Sequence, residues 1–257
     1  VGIGYVHSAC GHCRDCLTGG ENYCPDFDAT GYSIQGCFAE YVCLRDQWAN
    51  KIPDGITPVE AAPLMCAGAA SYASIKKTGV QAGDTVAIFG MGGLGQYAVQ
   101  IAKLMGLRII AVDISTKKLI TAKELGADET VIAGDQAGEN IIALGGAHGC
   151  VNFAPVVDTW PMMLEACNVR ARIVLTGVPA GEMAFYTYQV VERGITVVGS
   201  SASNRQEMNE LLTLVTNGKV KGVINEVPFD DINAALTELT EGRVEGRTVL
   251  TMKGTEG

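Results

Sequence analysis

The sequence predicts an α/β protein built around a doubly wound parallel sheet, with a mostly β region before it in the chain. Buried strand-like runs alternate with helical patterns between residues 84 and 200, and a glycine-rich turn joins the first of these strands to a helix. Residues 1–60, in contrast, hold only short apolar runs. Such alternation is typical of parallel strands joined by crossover helices. We therefore expect a sheet domain over residues 69–202 and a second domain made of residues 1–68 and 203–257.

The individual elements follow from apolar periodicity and from capping residues. Strands of the sheet are predicted at residues 85–89, 108–112, 129–132, 149–153, 172–176 and 196–198. Helices are predicted at residues 95–105 and 116–125, and one more runs from Pro58, after Thr57, toward Ser74. The tail is predicted to form a helix at 206–217, a strand at 223–227, a helix at 232–241 and a strand at 247–252.

Composition limits the classes of function. The 257 residues carry 19 basic and 28 acidic side chains, a net charge of −9, and no basic block. This balance argues against a nucleic-acid or anionic-membrane partner, because neutralising phosphates requires clustered Lys and Arg. No apolar stretch is long enough to span a bilayer, and the first residues do not resemble a signal peptide. Nine cysteines, four of them at metal-ligand spacing, suit a reducing, cytoplasmic setting.

A glycine-rich turn follows the first strand of the sheet. Its residues are Gly90, Met91, Gly92, Gly93, Leu94 and Gly95. A strand precedes it, a helix follows, and Asp113 ends the next strand, so the context of a dinucleotide-binding turn is complete. Pyrophosphate would lie at the positive end of the helix, and the Asp113 carboxylate would accept hydrogen bonds from ribose and repel a 2′-phosphate, which favours NAD over NADP. The alternative is a plain strand-to-helix turn with Asp113 as a helix cap.

Four cysteines lie close together near the start of the chain. They are Cys10, Cys13, Cys16 and Cys24. Four thiolates fill a tetrahedral zinc site and leave no position for substrate, so the predicted zinc is structural. The alternative is ordinary buried or disulfide-bonded cysteine, and His12 within the cluster is expected to be a surface residue.

Several motifs together resemble the zinc-containing alcohol dehydrogenases of the medium-chain dehydrogenase/reductase superfamily, in particular their yeast and bacterial branch. The similar segments begin at Cys10 (Cys-Gly-His-Cys-Arg-Asp-Cys), Lys51 (Lys-Ile-Pro-Asp-Gly), Ala61 (Ala-Ala-Pro-Leu-Met-Cys-Ala-Gly) and Gly90 (Gly-Met-Gly-Gly-Leu-Gly). The similarity covers the whole chain. It implies a Rossmann domain for NAD and an incomplete, mostly β GroES-like catalytic domain. It also implies hydride transfer between NAD and a small alcohol, aldehyde or ketone, and a homodimer or homotetramer.

The resemblance also assigns residues that spacing alone does not. Cys66 occupies the position of one of three protein ligands to a second, catalytic zinc, which as a Lewis acid would favour the alkoxide. Judged without the resemblance, Cys66 is a buried helix cysteine. Lys118 is implied on the adenosine ribose and Arg247 on the pyrophosphate, where the alternative for each is a solvated surface charge. Gly177 and Val178 resemble the segment that lines the nicotinamide pocket.

The sequence also departs from the family pattern. The family's Cys-His-Thr-Asp and Gly-His-Glu motifs, which supply the other catalytic-zinc ligands and the first group of the proton relay, are absent. The segment 169–173 (Val-Arg-Ala-Arg-Ile) lacks the customary glycine turn, and the segment 201–205 replaces Val-Gly-x-Arg. We expect the chain as given to be inactive or nearly so, with exposed sheet edges that favour association. The alternative function is a non-catalytic NAD-binding protein with a structural zinc.

Overall fold

The computed structural model describes residues 1–184, 186–218 and 220–252. Residues 70–200 form one compact unit, called here the sheet unit. The other described residues form a second compact unit, called here the cysteine-loop unit.

The N-terminal part of the cysteine-loop unit consists of short strands and loops, as the short apolar runs predicted. Its elements are β1 (Gly2–Ile3), β2 (Val6–Ser8), α1 (Arg14–Leu17), β3 (Asp28–Ala29), β4 (Ala49–Asn50) and α2 (Pro58–Pro63). Strand β1 pairs antiparallel with β4, and β2 pairs antiparallel with β3. Strands this short contribute few ladder hydrogen bonds, so the segment depends on its turns and side-chain contacts.

Helix α2 begins as the sequence predicts but does not continue unbroken toward Ser74. Thr57 Oγ1 accepts from the Glu60 N–H at 3.2 Å, and the Glu60 carboxylate accepts from the Thr57 N–H at 2.9 Å, which is a capping box. Pro63 lacks an N–H, and the α-helix ends there. A π-helical turn, Leu64–Gly68, then leads into α3 (Ala69–Lys77). The predicted helix from Pro58 toward Ser74 is therefore present, but a π-helical turn interrupts its α-helical hydrogen bonding.

The sheet unit contains the predicted parallel sheet of six strands. Its elements are β5 (Thr85–Phe89), α4 (Gly93–Leu104), β6 (Arg108–Asp113), α5 (Thr116–Glu124), β7 (Glu129–Ile132), α6 (Ala137–Ala143), β8 (Ala147–Asn152), α7 (Thr159–Ala166), β9 (Cys167–Leu175), α8 (Thr187–Arg193) and β10 (Thr196–Gly199). The strand order is β10-β9-β8-β5-β6-β7, and every pair is parallel. This is the doubly wound order of dinucleotide-binding folds, so the α/β fold class is confirmed.

Two apolar clusters pack on opposite faces of this sheet. Alternate residues of a strand point to opposite faces, so β5 contributes Ala87 and Phe89 to one cluster and Val86 and Ile88 to the other. All five residues of β5 are buried. Burial on both faces is the reason why the central strands have continuous apolar sequences rather than alternating ones.

Strand β9 starts five residues earlier than predicted because its pairing with β8 is interrupted. Cys167 lies opposite Ala147 and Arg172 lies opposite Gly149, so four residues of β9 face a single residue of β8. Arg170, within this bulge, has a φ of 64°, a left-handed conformation that is uncommon for a side chain with a Cβ.

The chain then returns to the cysteine-loop unit. The elements are α9 (Arg205–Gly218), β11 (Ile224–Pro228), α10 (Ile232–Thr240) and β12 (Arg247–Thr251). They lie within two residues of their predicted ends, and β11 pairs parallel with β12. Among the described residues no helix is long and apolar enough to cross a membrane.

Candidate cofactor cleft and metal site

A cleft of ≈ 830 Å³ opens in the sheet unit beside the glycine-rich turn. The turn follows β5, and β8 and β6 flank β5 on either side. The strand order runs outward in opposite directions from the β5–β8 pair, with β6 and β7 on one side and β9 and β10 on the other. In doubly wound sheets, ligands bind at this switch point, outside the carboxyl ends of the strands. The volume falls within the usual range for cofactor and ligand sites.

Each of three glycines in the turn has a separate geometric reason. Gly90 has a φ of +94°, and a Cβ there would lie 2.9 Å from the Ala154 nitrogen. A Cβ on Gly95 would lie deep inside van der Waals contact with the Gly90 carbonyl oxygen and 3.0 Å from its carbon. A Cβ on Gly92, in contrast, would meet nothing within 4 Å. Gly90 and Gly95 therefore serve the turn itself, whereas Gly92 leaves open space at the N-terminus of α4.

Asp113 closes one side of the turn and is 8 % exposed. One carboxylate oxygen accepts from the Met91 N–H at 2.7 Å, and the other accepts from the Ser115 N–H at 2.9 Å. These bonds fix the carboxylate against the glycine-rich turn and the start of α5. Each carboxylate oxygen keeps a free lone pair. The capping interpretation and the ribose interpretation of Asp113 are thus compatible.

The structure brings most of the predicted cofactor residues together at the cleft. The lining includes Gly90, Gly92, Gly93, Leu94, Gly95, Asp113 and Lys118. Gly177 and Val178 follow β9 in the same unit but do not line the cleft. A Cβ on Gly177 would lie 2.6 Å from the Ala154 carbonyl oxygen, and Ala154 lines the cleft. Arg247 lies in β12 of the cysteine-loop unit.

Sequence reasoning missed other residues that line the cleft. They include Ile114, Asp135, Phe153, Ala154, Asp158, Thr159, Met162 and Glu165. Several of them follow the carboxyl ends of β7 and β8. The predicted strand ends, combined with the rule that ligands bind at that edge of the sheet, could have found them.

The four predicted metal-ligating cysteines lie together. Their Sγ atoms are all within 4.8 Å of one another, and those of Cys10 and Cys16 are 3.9 Å apart. Thiolates at about 2.3 Å from a tetrahedral zinc lie about 3.8 Å apart, so the spacing fits that ion. In the part of the chain that the structure describes, no other group of three or more His, Cys, Asp or Glu side chains is arranged to hold a metal.

Backbone N–H groups support these thiols. The Cys13 N–H donates to the Cys10 sulfur at 3.3 Å, and the Cys16 N–H donates to the Cys13 sulfur at 3.4 Å. Backbone hydrogen bonds from His12 and Cys13 lower the pKa of the Cys10 thiol to about 6, whereas burial raises the pKa of the Cys16 thiol to about 12. His12 is exposed, and its Nδ1 lies 3.0 Å from the Cys10 carbonyl oxygen.

Polar contacts anchor the cysteine loop to the segment 201–207 of the same unit. Asn22 donates to the Ser201 carbonyl at 2.6 Å, and the Asn204 side-chain amide donates to the Gly19 carbonyl. Arg205 pairs with the buried Glu21 at 3.1 Å and stacks over Trp48 at 4.7 Å. Because α1 has no buried residue, the loop is held by these contacts together with the buried Trp48 ring.

Cys66 lies in the π-helical turn and is exposed, so the interpretation as a buried helix cysteine was wrong. Its neighbours in this turn, Met65 and Ala67, are buried, whereas the Cys66 side chain is exposed. Cys66 lines a largely apolar cavity of ≈ 450 Å³ in the cysteine-loop unit, together with Cys37 and Arg247. No histidine or carboxylate is among the described residues that line it.

Two family models match the chain. The alcohol dehydrogenase GroES-like domain matches residues 1–54, and the zinc-binding dehydrogenase model matches residues 93–217. An alcohol dehydrogenase of Geobacillus stearothermophilus is 36% identical over 255 residues, which are 98% of this chain and 75% of the relative.

Solved structures agree with these matches. The alcohol dehydrogenase of Aeropyrum pernix superposes with a TM-score of 0.86 at 32% identity, over 95% of this chain and 74% of that one. Acetophenone reductase of Geotrichum candidum in complex with NAD superposes with a TM-score of 0.87 at 26% identity, over 96% of this chain and 72% of that one. With a doubly wound sheet, a glycine-rich turn and a four-thiol cluster in addition, the chain belongs to the zinc-containing, NAD-dependent alcohol dehydrogenases of the medium-chain dehydrogenase/reductase superfamily.

Proposed function

We propose that this protein binds NAD in the cleft beside the glycine-rich turn and serves hydride transfer between NAD and a small alcohol, aldehyde or ketone. The observation that carries the proposal is the open space at Gly92, at the N-terminus of α4 and at the switch point of the sheet. Free backbone N–H groups at a helix N-terminus attract a pyrophosphate. Membership of the family extends the proposal from a dinucleotide to an alcohol substrate.

The cleft residues are assigned as follows. Gly90, Gly92, Gly93, Leu94 and Gly95 hold the pyrophosphate, and Gly177 with Val178 borders the nicotinamide. Asp113 accepts hydrogen bonds from the adenosine ribose and disfavours a 2′-phosphate, because its buried carboxylate and a phosphate would repel each other at short range. Lys118 borders the same end of the cleft and is assigned to the ribose. The resemblance assigns Arg247 to the pyrophosphate.

The four-thiol cluster is proposed to hold a structural zinc, bound by Cys10, Cys13, Cys16 and Cys24. Its sulfur spacing fits tetrahedral coordination, and N–H groups donate to the sulfurs, as is typical around metal-bound thiolates. Since thiolates oxidise readily when no metal protects them, a reducing, cytoplasmic setting suits the cluster. Four protein ligands leave no coordination position for a substrate, so this zinc stabilises the loop.

The lining of the Cys66 cavity does not by itself complete a catalytic zinc site. Catalytic zinc uses three protein ligands, and the described residues offer the thiols of Cys66 and Cys37 without an imidazole or a carboxylate. Cys66 as a catalytic ligand therefore requires further ligands besides the described residues that line this cavity. This observation also favours the second candidate, an NAD-binding protein with a structural zinc and no reaction centre.

One sample can separate these candidates. Zinc content, NADH and NADPH binding, and ethanol oxidation are measured on the purified 257-residue chain. We expect one zinc per chain, tighter binding of NADH than of NADPH, and turnover at background. Absence of NADH binding would contradict both candidates, and robust turnover with two zincs per chain would contradict the second. A Cys-His-Thr-Asp motif encoded upstream of Val1 would favour the dehydrogenase.

We also propose that the sheet units associate as a homodimer through the β10 edge. Val197 of this edge strand is 40% exposed, and the preceding helix α8 exposes Tyr188 and Val191 at 72% and 73%. Apolar side chains exposed on and beside an edge strand favour association with a second copy. In light scattering, Val197→Lys is expected to yield monomers. Ile132→Lys, on the opposite edge strand β7, is the matched control and should leave the dimer intact.

A further inference from the structure

Helix α3 carries a polar stripe in the sheet unit that the cofactor assignment does not use. Ser71, Ser74 and Lys77 are spaced three residues apart and therefore lie on one side of the helix. Both serines are fully buried. Serine is unfavourable inside a helix unless its hydroxyl has partners, and each of these hydroxyls contacts a segment next to the cleft.

Ser74 is the centre of a small hydroxyl network. Its Oγ donates to the Ala70 carbonyl at 2.6 Å and lies 2.7 Å from Thr176 Oγ1. A hydroxyl has a single proton. Because the Ser74 proton is directed at Ala70, Thr176 is the donor in the second bond. Ser200 Oγ lies 3.5 Å from Ser74 Oγ and accepts from the Lys77 ammonium at 3.0 Å.

Thr176 connects this network to the cleft. The N–H groups of Thr176 and Gly177 both donate to the Asn152 carbonyl, at 3.1 and 2.8 Å. Gly177 packs so closely on Ala154 that a Cβ would lie 2.6 Å from its carbonyl oxygen, and Ala154 lines the cleft. A shift of the Thr176 side chain would therefore move the segment that leads to Val178 and the adjacent cleft wall.

The same helix also contacts the glycine-rich turn. Ser71 Oγ donates to the Leu94 carbonyl at 2.8 Å, and Leu94 belongs to the glycine-rich turn. Helix α3 thus fixes the turn through Ser71 and the segment after β9 through Ser74. The two serines are one helical turn apart, so one helix sets the spacing between these two segments.

We propose that Ser74 is a positioning residue for the nicotinamide half of the cofactor, acting through the Thr176 hydroxyl on the segment Thr176–Val178. This inference rests on the proposed NAD function. Ser74 does not touch the cleft. Its effect is therefore confined to the segment that it supports, while the glycine-rich turn, which Ser71 holds, continues to bind the pyrophosphate, and Asp113 the adenosine ribose.

Two ligands test the proposal, since ADP-ribose fills the adenosine and pyrophosphate positions but lacks nicotinamide. Binding of NADH and of ADP-ribose to the full chain is measured by calorimetry for Ser74→Ala and Thr176→Val. Loss of one buried hydrogen bond corresponds to roughly a three- to tenfold loss of affinity. We expect this loss for NADH and none for ADP-ribose. Thr176→Ser, which keeps the hydroxyl, is expected to bind NADH as the parent does. Thr121→Ala removes an exposed helix hydroxyl of the same unit and is the control.

The double variant adds a second readout. If Ser74 acts through Thr176, the double variant with Ser74→Ala and Thr176→Val should lose no more affinity for NADH than either single variant. Equal losses for NADH and ADP-ribose, unchanged NADH affinity, or additive losses would each overturn the proposal. If the parent chain binds ADP-ribose but not NADH, the nicotinamide assignment fails. If it binds neither, the proposed function fails and this inference fails with it.

Discussion

Replacing either of two glycines of the cofactor turn by alanine should separate folding from binding. At Gly95, the added methyl group would overlap the Gly90 carbonyl oxygen, a backbone atom that cannot move without opening the turn. At Gly92 the methyl group would meet no protein atom within 4 Å, and the backbone, with φ −79° and ψ −159°, is extended. The first change is therefore expected to damage the fold, and the second only the ligand site.

The two variants are expected to differ in their effect on stability. Overpacking against a fixed neighbour costs about 1–3 kcal/mol, and the gain from replacing glycine within a helix is about 0.5–1 kcal/mol. Gly95→Ala should thus lose about 0.5–2 kcal/mol, which corresponds to a fall in melting temperature of roughly 1–8 °C. Gly92→Ala should keep its stability or gain about 0.4–1 kcal/mol from the smaller entropy of the unfolded chain. Its affinity for NADH should fall at least about tenfold, or about 1.4 kcal/mol.

Thermal unfolding by circular dichroism and NADH titration are measured on both variants and the parent. The reasoning requires that Gly92→Ala be stable and bind poorly. If Gly92→Ala binds NADH as the parent does, the pyrophosphate does not approach this backbone. If both variants lose the same stability, the open space at Gly92 is not present in solution.

Three further changes test other parts of the molecule. Arg170→Gly should raise the free energy of unfolding by about 0.5–1 kcal/mol. Relief of the left-handed strain gains about 1–2 kcal/mol, and the added chain entropy of glycine costs about 0.5–1 kcal/mol. Arg170→Ala keeps the strained φ, so an equal stability gain for Arg170→Ala in chemical denaturation would refute this explanation. Removing zinc with a chelator should make the loop around Cys24 sensitive to protease and leave NADH affinity unchanged, because no metal-site residue lines the cleft; a parallel loss of NADH binding would contradict this. Arg205→Ala should cost about 1–2 kcal/mol in urea denaturation, since it leaves the buried Glu21 carboxylate without its cation; Arg205→Gln, which can still donate to Glu21, should cost less, and equal losses would point to the contact with Trp48 instead.

The sheet unit could be predicted from sequence because its elements are determined locally. Buried strands such as Thr85–Phe89 are apolar from their second residue onward, and the spacing of Gly90, Gly92 and Gly95 predicts a turn between strand and helix. The position of Asp113 beside the glycine-rich turn could be predicted in the same way, since the second strand ends next to the turn. The remainder of the cleft is formed by residues after β7 and β8, which only the order of the strands brings together.

Other features depend on contacts that no local pattern shows. Periodicity predicts a helix from Pro58 onward, but it does not show that Pro63 precedes a π-helical turn that exposes Cys66. The absence of the customary glycine near Arg170 is visible in the sequence. The sequence does not show whether the backbone takes another path there or keeps a strained, positive φ. The structure retains the left-handed conformation, both at Arg170 and at Ala202, with φ of 64° and 48°.

Ala202 lies in the segment that anchors the cysteine loop, which suggests why strain persists there. Asn22 binds the carbonyl of Ser201, and Asn204 binds the Gly19 carbonyl, so the backbone between them is held at two points. Strained conformations persist where the surrounding structure over-determines them. The four thiols hold the other end of the loop. Both partners of the segment 201–204, Asn22 and the Gly19 carbonyl, belong to the cysteine loop, so this loop over-determines the backbone at Ala202.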